Sequence, residues 1–309
     1  MQADHRDVKC VFSRESRGGT AGVRSFFVIQ FARMLRFRTT AFSALFLLVA
    51  NSAFATWSVI ALDRSTGTIV IASATCVTQG GFARFPATGL RDVQAIVVPG
   101  KGVAAAQARV DNTRANQNLI YAELQKGTPP AEILEKLKQD PNIAGRQFGI
   151  VDIEGRMAGF SGSSNGKVSL DRQGQVEGTQ IIYSIQGNIL TSEEVITDAV
   201  RAFVAAKGSL ADRVMAAMEA ADAKGGDSRC SCDRGPKLEA PCTSKTAHVA
   251  YLMQSEKTEP IGASYSGANP AFYISVTDEN IGPSEDANPV KTLRMRYDAW
   301  IKSRAGSPK

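Results

Sequence analysis

Thr56-Trp57-Ser58-Val59-Ile60-Ala61-Leu62-Asp63, then Arg64-Ser65-Thr66-Gly67, then the run Thr68 to Val77 (TIVIASATCV), is the stretch whose reading decides the fold. Two β-branched, partly alternating runs across a four-residue turn predict an antiparallel hairpin. That hairpin brings Thr75 and Cys76, at the end of its second strand, beside Thr56 at the start of its first. Gln79-Gly80-Gly81 then leaves the sheet.

What precedes Thr56 gives that threonine its interest. Met34-Leu35-Arg36-Phe37-Arg38 is basic, Ala41 to Ala50 (AFSALFLLVA) is apolar, and Asn51 to Ala55 (NSAFA) ends in the small-residue triplet Ala53-Phe54-Ala55. Basic, apolar, small is the order of a secretory signal, and the apolar run is well short of the roughly 20 residues of a spanning helix. The sequence therefore predicts a signal peptide over residues 34–55 and an over-extended gene start over 1–33, which is set aside from fold reasoning. Cleavage after Ala55 leaves one domain, 56–309, beginning with Thr56. A threonine at a free N-terminus carries a nucleophilic hydroxyl and a basic α-amine on one residue. The ordinary α-amine pKa of about 7.7–8.0 lets that amine take a proton near neutral pH.

Charge and composition narrow the chemistry. The whole chain has a net charge of +6, but its first 55 residues hold 8 basic and 3 acidic side chains, so residues 56–309 are nearly neutral. This leaves no basic surface to suggest nucleic acid or an anionic membrane. His248 is the one histidine after residue 55. A Ser-His-Asp hydrolase or a typical zinc site needs histidine in reach of a nucleophile or of other ligands. His248 lies in a run that reads as a strand, so a core or sheet-face position is expected for it. No metal and no cofactor is expected.

The cysteines after residue 55 are Cys76, Cys230, Cys232 and Cys242. In an exported chain a bridge from Cys242 to Cys232 or to Cys230 is the simplest arrangement, because Cys230-Ser231-Cys232 is too tight for easy mutual bonding. A zinc knuckle is the alternative reading. Cys76 reads as a small buried hydrophobe rather than a functional thiol.

The remaining pattern alternates strands with helix pairs. Strands are expected at 93–99, 103–108, 147–153, 157–161, 180–186, 247–253 and 271–277. Helices are expected at 116–125, 128–139 with Thr128 as cap, 192–207 with Ser192 as cap, 210–223 and 289–301. Pro260 to Asn269 reads as a loop inside the domain. This order predicts an α+β fold in which sheets are covered by helical layers.

Six motifs carry a resemblance: TWSVIALDRSTG from Thr56, AAAQARVDN from Ala104, RQFGIVD from Arg146, AGFSG from Ala158, QGNIL from Gln186 and GGDSR from Gly225. Each is weak alone, but in this order and spacing the chain resembles the Ntn-hydrolase-like family called domain of unknown function 1028. The resemblance implies a four-layer αββα sandwich and an amidohydrolase role for Thr56. It departs from the family at two places. Many relatives carry a basic residue where this chain has Cys76, and relatives tend to run from GGDxR straight into the next strand, where this chain inserts the cysteine loop 230–242.

Candidate site groups follow. Thr56 is the expected nucleophile and base. Asn188 ends a strand and can offer its amide to an oxyanion, or simply form the Gly-Asn turn. Asp227 and Arg229 can orient the amine or bind a substrate carboxylate, or form an ion pair that pins their loop. Gln107 is polar within an apolar strand and needs a partner, either substrate or backbone. Thr75 and Cys76 are near by hairpin geometry. Two functions are left standing: an exported periplasmic or secreted amidohydrolase acting on a small amide or peptide-like bond, and a non-catalytic exported binding protein on the same fold. Homo-oligomerisation is left open.

Overall fold

The computed structural model describes residues 56–267 and 269–305; the expected gene start and signal peptide, 1–33 and 34–55, lie outside the described residues. The chain runs through β1 (Thr56–Asp63), β2 (Thr68–Thr75), a 3-10 turn at Gln79–Arg84, α1 (Leu90–Gln94), β3 (Ala95–Val98), β4 (Gly102–Ala108), α2 (Ala115–Lys126) and α3 (Pro130–Leu137). It continues with β5 (Arg146–Asp152), β6 (Met157–Ser161), β7 (Ser169–Gln175), β8 (Ile181–Asn188), α4 (Glu194–Ala205), α5 (Leu210–Ala223), β9 (Val249–Ser255), β10 (Phe272–Thr277) and α6 (Pro289–Ala305).

The fold is mixed α+β, with two sheets whose described strand pairs are all antiparallel. One sheet has the order β10-β9-β2-β1-β8-β7 and the other β3-β4-β5-β6. The predicted hairpin is present, with Thr56 opposite Thr75 and Asp63 opposite Thr68.

Alternation along β1 divides its side chains between two cores. Trp57, Val59 and Ala61 pack with Val195, Phe203, Val214 and Met218 of α4 and α5 and with Leu293 of α6. Ile60 and Leu62 point the other way and pack with Val97, Val103 and Val151 of the second sheet. The outer face of that sheet, at Ile96, Ala104 and Phe148, buries Ile120 and Leu124 of α2 and Ile133 of α3. Thr56 and Ser58 share the inter-sheet face with Ile60 and Leu62. The same strand face is therefore apolar at one end and polar at the other.

Four element readings are corrected. Val93 and Gln94 end α1 rather than begin a strand, because Asp92 ties that short turn together by accepting the Thr88 N–H at 3.0 Å. Thr128 does not cap α3; its hydroxyl donates to Glu123 at 2.6 Å, and Pro129 holds the cap position. Ser192 does not cap α4, whose cap position is Glu193. Strand β7 was not expected from its polar sequence SLDRQGQ; it pairs with β8 at the edge of its sheet, where polar side chains are tolerated.

The sheets come close where the second carries glycine. Gly149 and Gly159 are register partners on β5 and β6. A Cβ at Gly149 would collide with Gln186 and Ser184 of β8, and one at Gly159 with Gln173 and Asp171 of β7. Gly149→Val should therefore destabilise the fold by about 1–3 kcal/mol or more through overpacking. The measurement is the urea unfolding midpoint at constant slope. An unchanged midpoint would mean that the facing side chains give way freely.

Candidate active site

Three adjacent strands build the site. Thr56 opens β1, with Thr75 opposite it on β2 and Asn188 opposite it on β8. Directly opposed residues in an antiparallel sheet put their side chains on one face, so these three share a face. Thr56 is 2 % exposed, Thr75 and Asn188 are fully buried, and the Thr56 hydroxyl donates to Thr75 Oγ1 at 3.2 Å. Thr75 Oγ1 also accepts the Val77 N–H at 3.3 Å.

The second sheet contributes a buried amide. Gln107 Nε2 donates to the Thr56 carbonyl at 3.0 Å and to Gln147 Oε1 at 2.7 Å. Its Oε1 accepts from Ser58 Oγ at 2.7 Å and from Gln94 Nε2 at 2.8 Å. Gln94 in turn accepts the Tyr251 hydroxyl at 2.9 Å, and Gln147 donates to Gly187 O on β8 at 2.8 Å. All four hydrogen-bonding positions of the Gln107 amide are thus used within the protein. Gln107 is a positioning residue for Thr56 and has no donor or acceptor left for substrate. Gln94, Gln147, Ser58 and Tyr251 were missed by sequence reading. Their signal was available: polar residues inside otherwise apolar strands must find partners, and several such strands point them at one place.

Two strained residues border the site. Ala108, after Gln107, has φ 71°, and Ile189, after Asn188, has φ 52°. A β-branched residue in the left-handed region is a genuine outlier. Such strain persists where surrounding contacts over-determine it, commonly at functional sites.

Behind the threonines lies the Asp227 loop. Asp227 is fully buried, and its carboxylate accepts the Cys76 N–H at 3.1 Å, the Arg229 N–H at 3.0 Å and the Arg229 guanidinium at 3.0 and 2.8 Å. The two residues form an ion pair with each other at 2.8 Å within the loop. Asp227 reaches the site through the Cys76 backbone next to Thr75.

The reading of Cys76 as a buried hydrophobe is corrected. Cys76 is half-buried and bonded to Cys230, while Cys232 is bonded to Cys242 as one of the expected pairings. The end of the first hairpin and the cysteine loop 230–242 are therefore bonded to each other. His248 lies within 4.8 Å of both sulfurs of the Cys76–Cys230 pair, but these sulfurs are spent in a disulfide and are not thiolate ligands. A zinc knuckle at Cys230, Cys232 and Cys242 fails for the same reason.

The cleft itself is very small, with a volume of about 20 Å³, roughly the room for one water. Thr56, Thr75, Gln94 and Gln107 form its polar part; the rest of its lining is apolar.

With this geometry in hand, comparison with known proteins identifies the family. The model of the family of unknown function DUF1028 matches residues 56–234. The chain belongs to this family. The matched region begins at Thr56 and ends inside the cysteine loop, so it holds every DUF1028 motif named above. A solved DUF1028 structure, the protein SPO2555 from Silicibacter pomeroyi, superposes with a TM-score of 0.55 at 20% identity, over 79% of this chain and 88% of that one. At that identity the likeness speaks for the fold. No curated protein matches the chain.

His248 supplies a pH-dependent test of this DUF1028 site. Burial, then the nearby Lys245 charge, pushes its pKa down from 6.5 to about 4; Asp278 and Asp227 oppose this and Arg229 adds to it. The folded state thus binds its proton later than the unfolded chain does. The contribution of neutral His248 is complete above about pH 6.5 and is lost as pH falls toward 4, with an upper size on the order of 3 kcal/mol. Comparing unfolding of the parent and His248→Gln at pH 7 and pH 4.5 should show a shallower pH slope in the variant. Equal slopes would place the histidine's titration outside the folding equilibrium.

Proposed function

We propose that this DUF1028 chain is an exported N-terminal-nucleophile amidohydrolase, with the four-layer αββα sandwich of that class, acting on a small amide or peptide-like bond. The observation that carries the reading is the position of Thr56. It opens an interior strand at the mouth of a cleft, between Thr75 and Asn188, at the first residue matched by the family. Among the described residues no ionisable side chain lines that cleft, which fits a base supplied by the nucleophilic residue itself. Two disulfides support an oxidising, exported setting. Among the described residues, no helix is long and apolar enough to cross a membrane.

The chemistry follows from cleavage after Ala55. The freed α-amine of Thr56 takes the proton of Oγ1 as that oxygen attacks the substrate carbonyl carbon. The tetrahedral oxyanion is stabilised by hydrogen bonding, with the Asn188 amide as its candidate donor. On collapse the carbon–nitrogen bond breaks, and the leaving amine departs with the proton held by the α-ammonium. Water, deprotonated by the same amine, then attacks the ester on Oγ1, releases the acid and returns the hydroxyl. Gln107 fixes the Thr56 carbonyl, and so the direction in which amine and hydroxyl diverge from Cα.

The test begins with exported protein, whose N-terminal sequence should read Thr56-Trp57-Ser58. A start displaced by one residue would separate the amine from the nucleophile and end the proposal. Thr56→Ala should abolish turnover and labelling by a β-lactone with little change in stability, while Thr56→Ser should retain part of both. Asn188→Ala should lower turnover by ~10²–10³-fold if its amide is the oxyanion donor. Correctly processed, folded protein that no β-lactone or activated amide modifies at Thr56 would leave the binding-protein reading in its place.

A further inference from the structure

The two sheets differ in width, six strands against four, and β10 lies at one edge of the wider one. Phe272, Ile274 and Val276 of β10 pack toward the helices, so Tyr273, Ser275 and Thr277 face the inter-sheet side. Their register partners on β9, Met253, Tyr251 and Val249, belong to the inter-sheet core. Gln94 of α1 covers Tyr251 by accepting its hydroxyl at 2.9 Å. One strand further out that cover ends, and the face turns polar over a groove of about 450 Å³. The groove shares no lining residue with the cleft at Thr56.

Two opposite charges line this groove without hydrogen-bonded partners. Arg91 of α1 lies over the Tyr273 ring, 4.5 Å from its centre, with 25% of its side chain exposed. Its ion-pair neighbour Asp92 is 3.7 Å from Nε, beyond hydrogen-bonding distance, and the other Asp92 oxygen accepts the Thr88 N–H at 3.0 Å. Among the described residues the Arg91 guanidinium makes no hydrogen bond, while the cation–π contact holds it in place. Glu279 follows β10 in a fixed turn. Its N–H donates to Thr277 Oγ1 at 3.2 Å, and the Thr277 N–H donates to Asn280 Oδ1 at 2.9 Å. The Glu279 backbone is thus held, yet among the described residues its carboxylate makes no hydrogen bond or ion pair.

A guanidinium with unused donors is a receptor for a carboxylate, which it can hold by two parallel N–H···O bonds. A bare anion is a poor match here, because Asp92 and Glu279 repel it. A ligand that also carries an ammonium complements all three charges. The volume is that of a small-molecule site, room for about fifteen waters, and exceeds what a single ion fills. Thr277 Oγ1 accepts the Glu279 N–H and keeps its own proton to donate. We propose that this groove binds a small zwitterion of dipeptide size, with its carboxylate on Arg91 and its ammonium toward Glu279. The site is independent of the hydrolase reading of Thr56 and stands or falls separately from it.

Four probes that differ only in their end charges test this: Ala-Ala, N-acetyl-Ala-Ala, Ala-Ala amide and N-acetyl-Ala-Ala amide. Their affinities are read by calorimetry on the purified protein. Ala-Ala should bind tightest, and blocking either end should weaken binding about three- to fivefold, the size of a partly exposed ion pair. Arg91→Gln should bind Ala-Ala and Ala-Ala amide equally, while keeping the preference for a free ammonium. Glu279→Gln should do the reverse. Thr56→Ala should bind all four probes as the parent does.

If all four probes bind the parent alike, or none binds at about 10 mM, the proposal is overturned. The parent's four affinities decide this even where a variant is unstable. If Arg91→Gln folds and keeps the preference for a free carboxylate, that group does not sit on Arg91 and the proposal is again wrong. If Thr56→Ala loses binding, the ligand occupies the Thr56 cleft instead, which overturns the groove as its site and leaves the hydrolase reading standing.

Discussion

The site depends on one buried hydrogen bond, from Gln107 Nε2 on the second sheet to the carbonyl of Thr56 on the first. Two apolar sheet faces pressed together would tolerate many small slides, because hydrophobic contact is non-directional. A buried amide is not tolerant in this way: any slide that breaks one of its bonds strands a polar group away from water, at about 1–3 kcal/mol. Gln107 makes four such bonds, and Gln147 carries the network onward to β8. The network is thus a registration device. It fixes the start of β1 against the other sheet, and with it the direction of the Thr56 side chain. Gly149 and Gly159 belong to the same device, since their missing Cβ atoms leave the space through which side chains of β7 and β8 reach the other sheet.

A second constraint closes the site from behind. The Cys76–Cys230 bond joins residues 154 apart, next to the point where Asp227 holds the Cys76 N–H. The Cys232–Cys242 bond closes a separation of only 10 within the loop. Chain-entropy reasoning gives about 5 kcal/mol for the first closure and about 3 for the second. The larger restraint therefore sits where the hairpin carrying Thr75 meets the loop carrying Asp227. The covalent bond and the carboxylate do one job by different means: they keep the end of β2, and hence Thr75 beside Thr56, from fraying toward the surface.

Much of this was legible before any coordinates. The hairpin, the paired helices and Thr56 beside Thr75 follow from alternation, turn residues and β-branching, which are local properties. Asn188 was legible as a strand end, and its place opposite Thr56 follows only from the long-range pairing of β1 with β8. Strand β7 was hidden because it is an edge strand whose polar residues, Asp171 and Gln173, serve the network rather than a hydrophobic face. The short helix at Leu90–Gln94 was hidden because Val93 and Gln94 continue straight into β3, so one apolar run covers two elements. The partner of Cys76 was illegible for a different reason: spacing in sequence says nothing about residues brought together across 154 positions.

The arrangement also shows how one strand can be anchored by burial at one end and oriented by hydrogen bonds at the other. On β1 the inter-sheet side chains run from Leu62 and Ile60 to Ser58 and Thr56, apolar to polar, while the opposite face stays apolar as far as Trp57. The apolar half and Trp57 anchor the strand by burial, which fixes its depth but not its chemistry. The polar half must be satisfied by hydrogen bonds, which fix orientation. The N-terminal-nucleophile role proposed above for Thr56 would need both, depth and orientation. Strand ends ordinarily fray for want of such partners. Here an interior strand starts with its first residue 2 % exposed, paired on both edges and held from the facing sheet by Gln107. The sheet on both edges and Gln107 from the facing sheet together hold Thr56 in place.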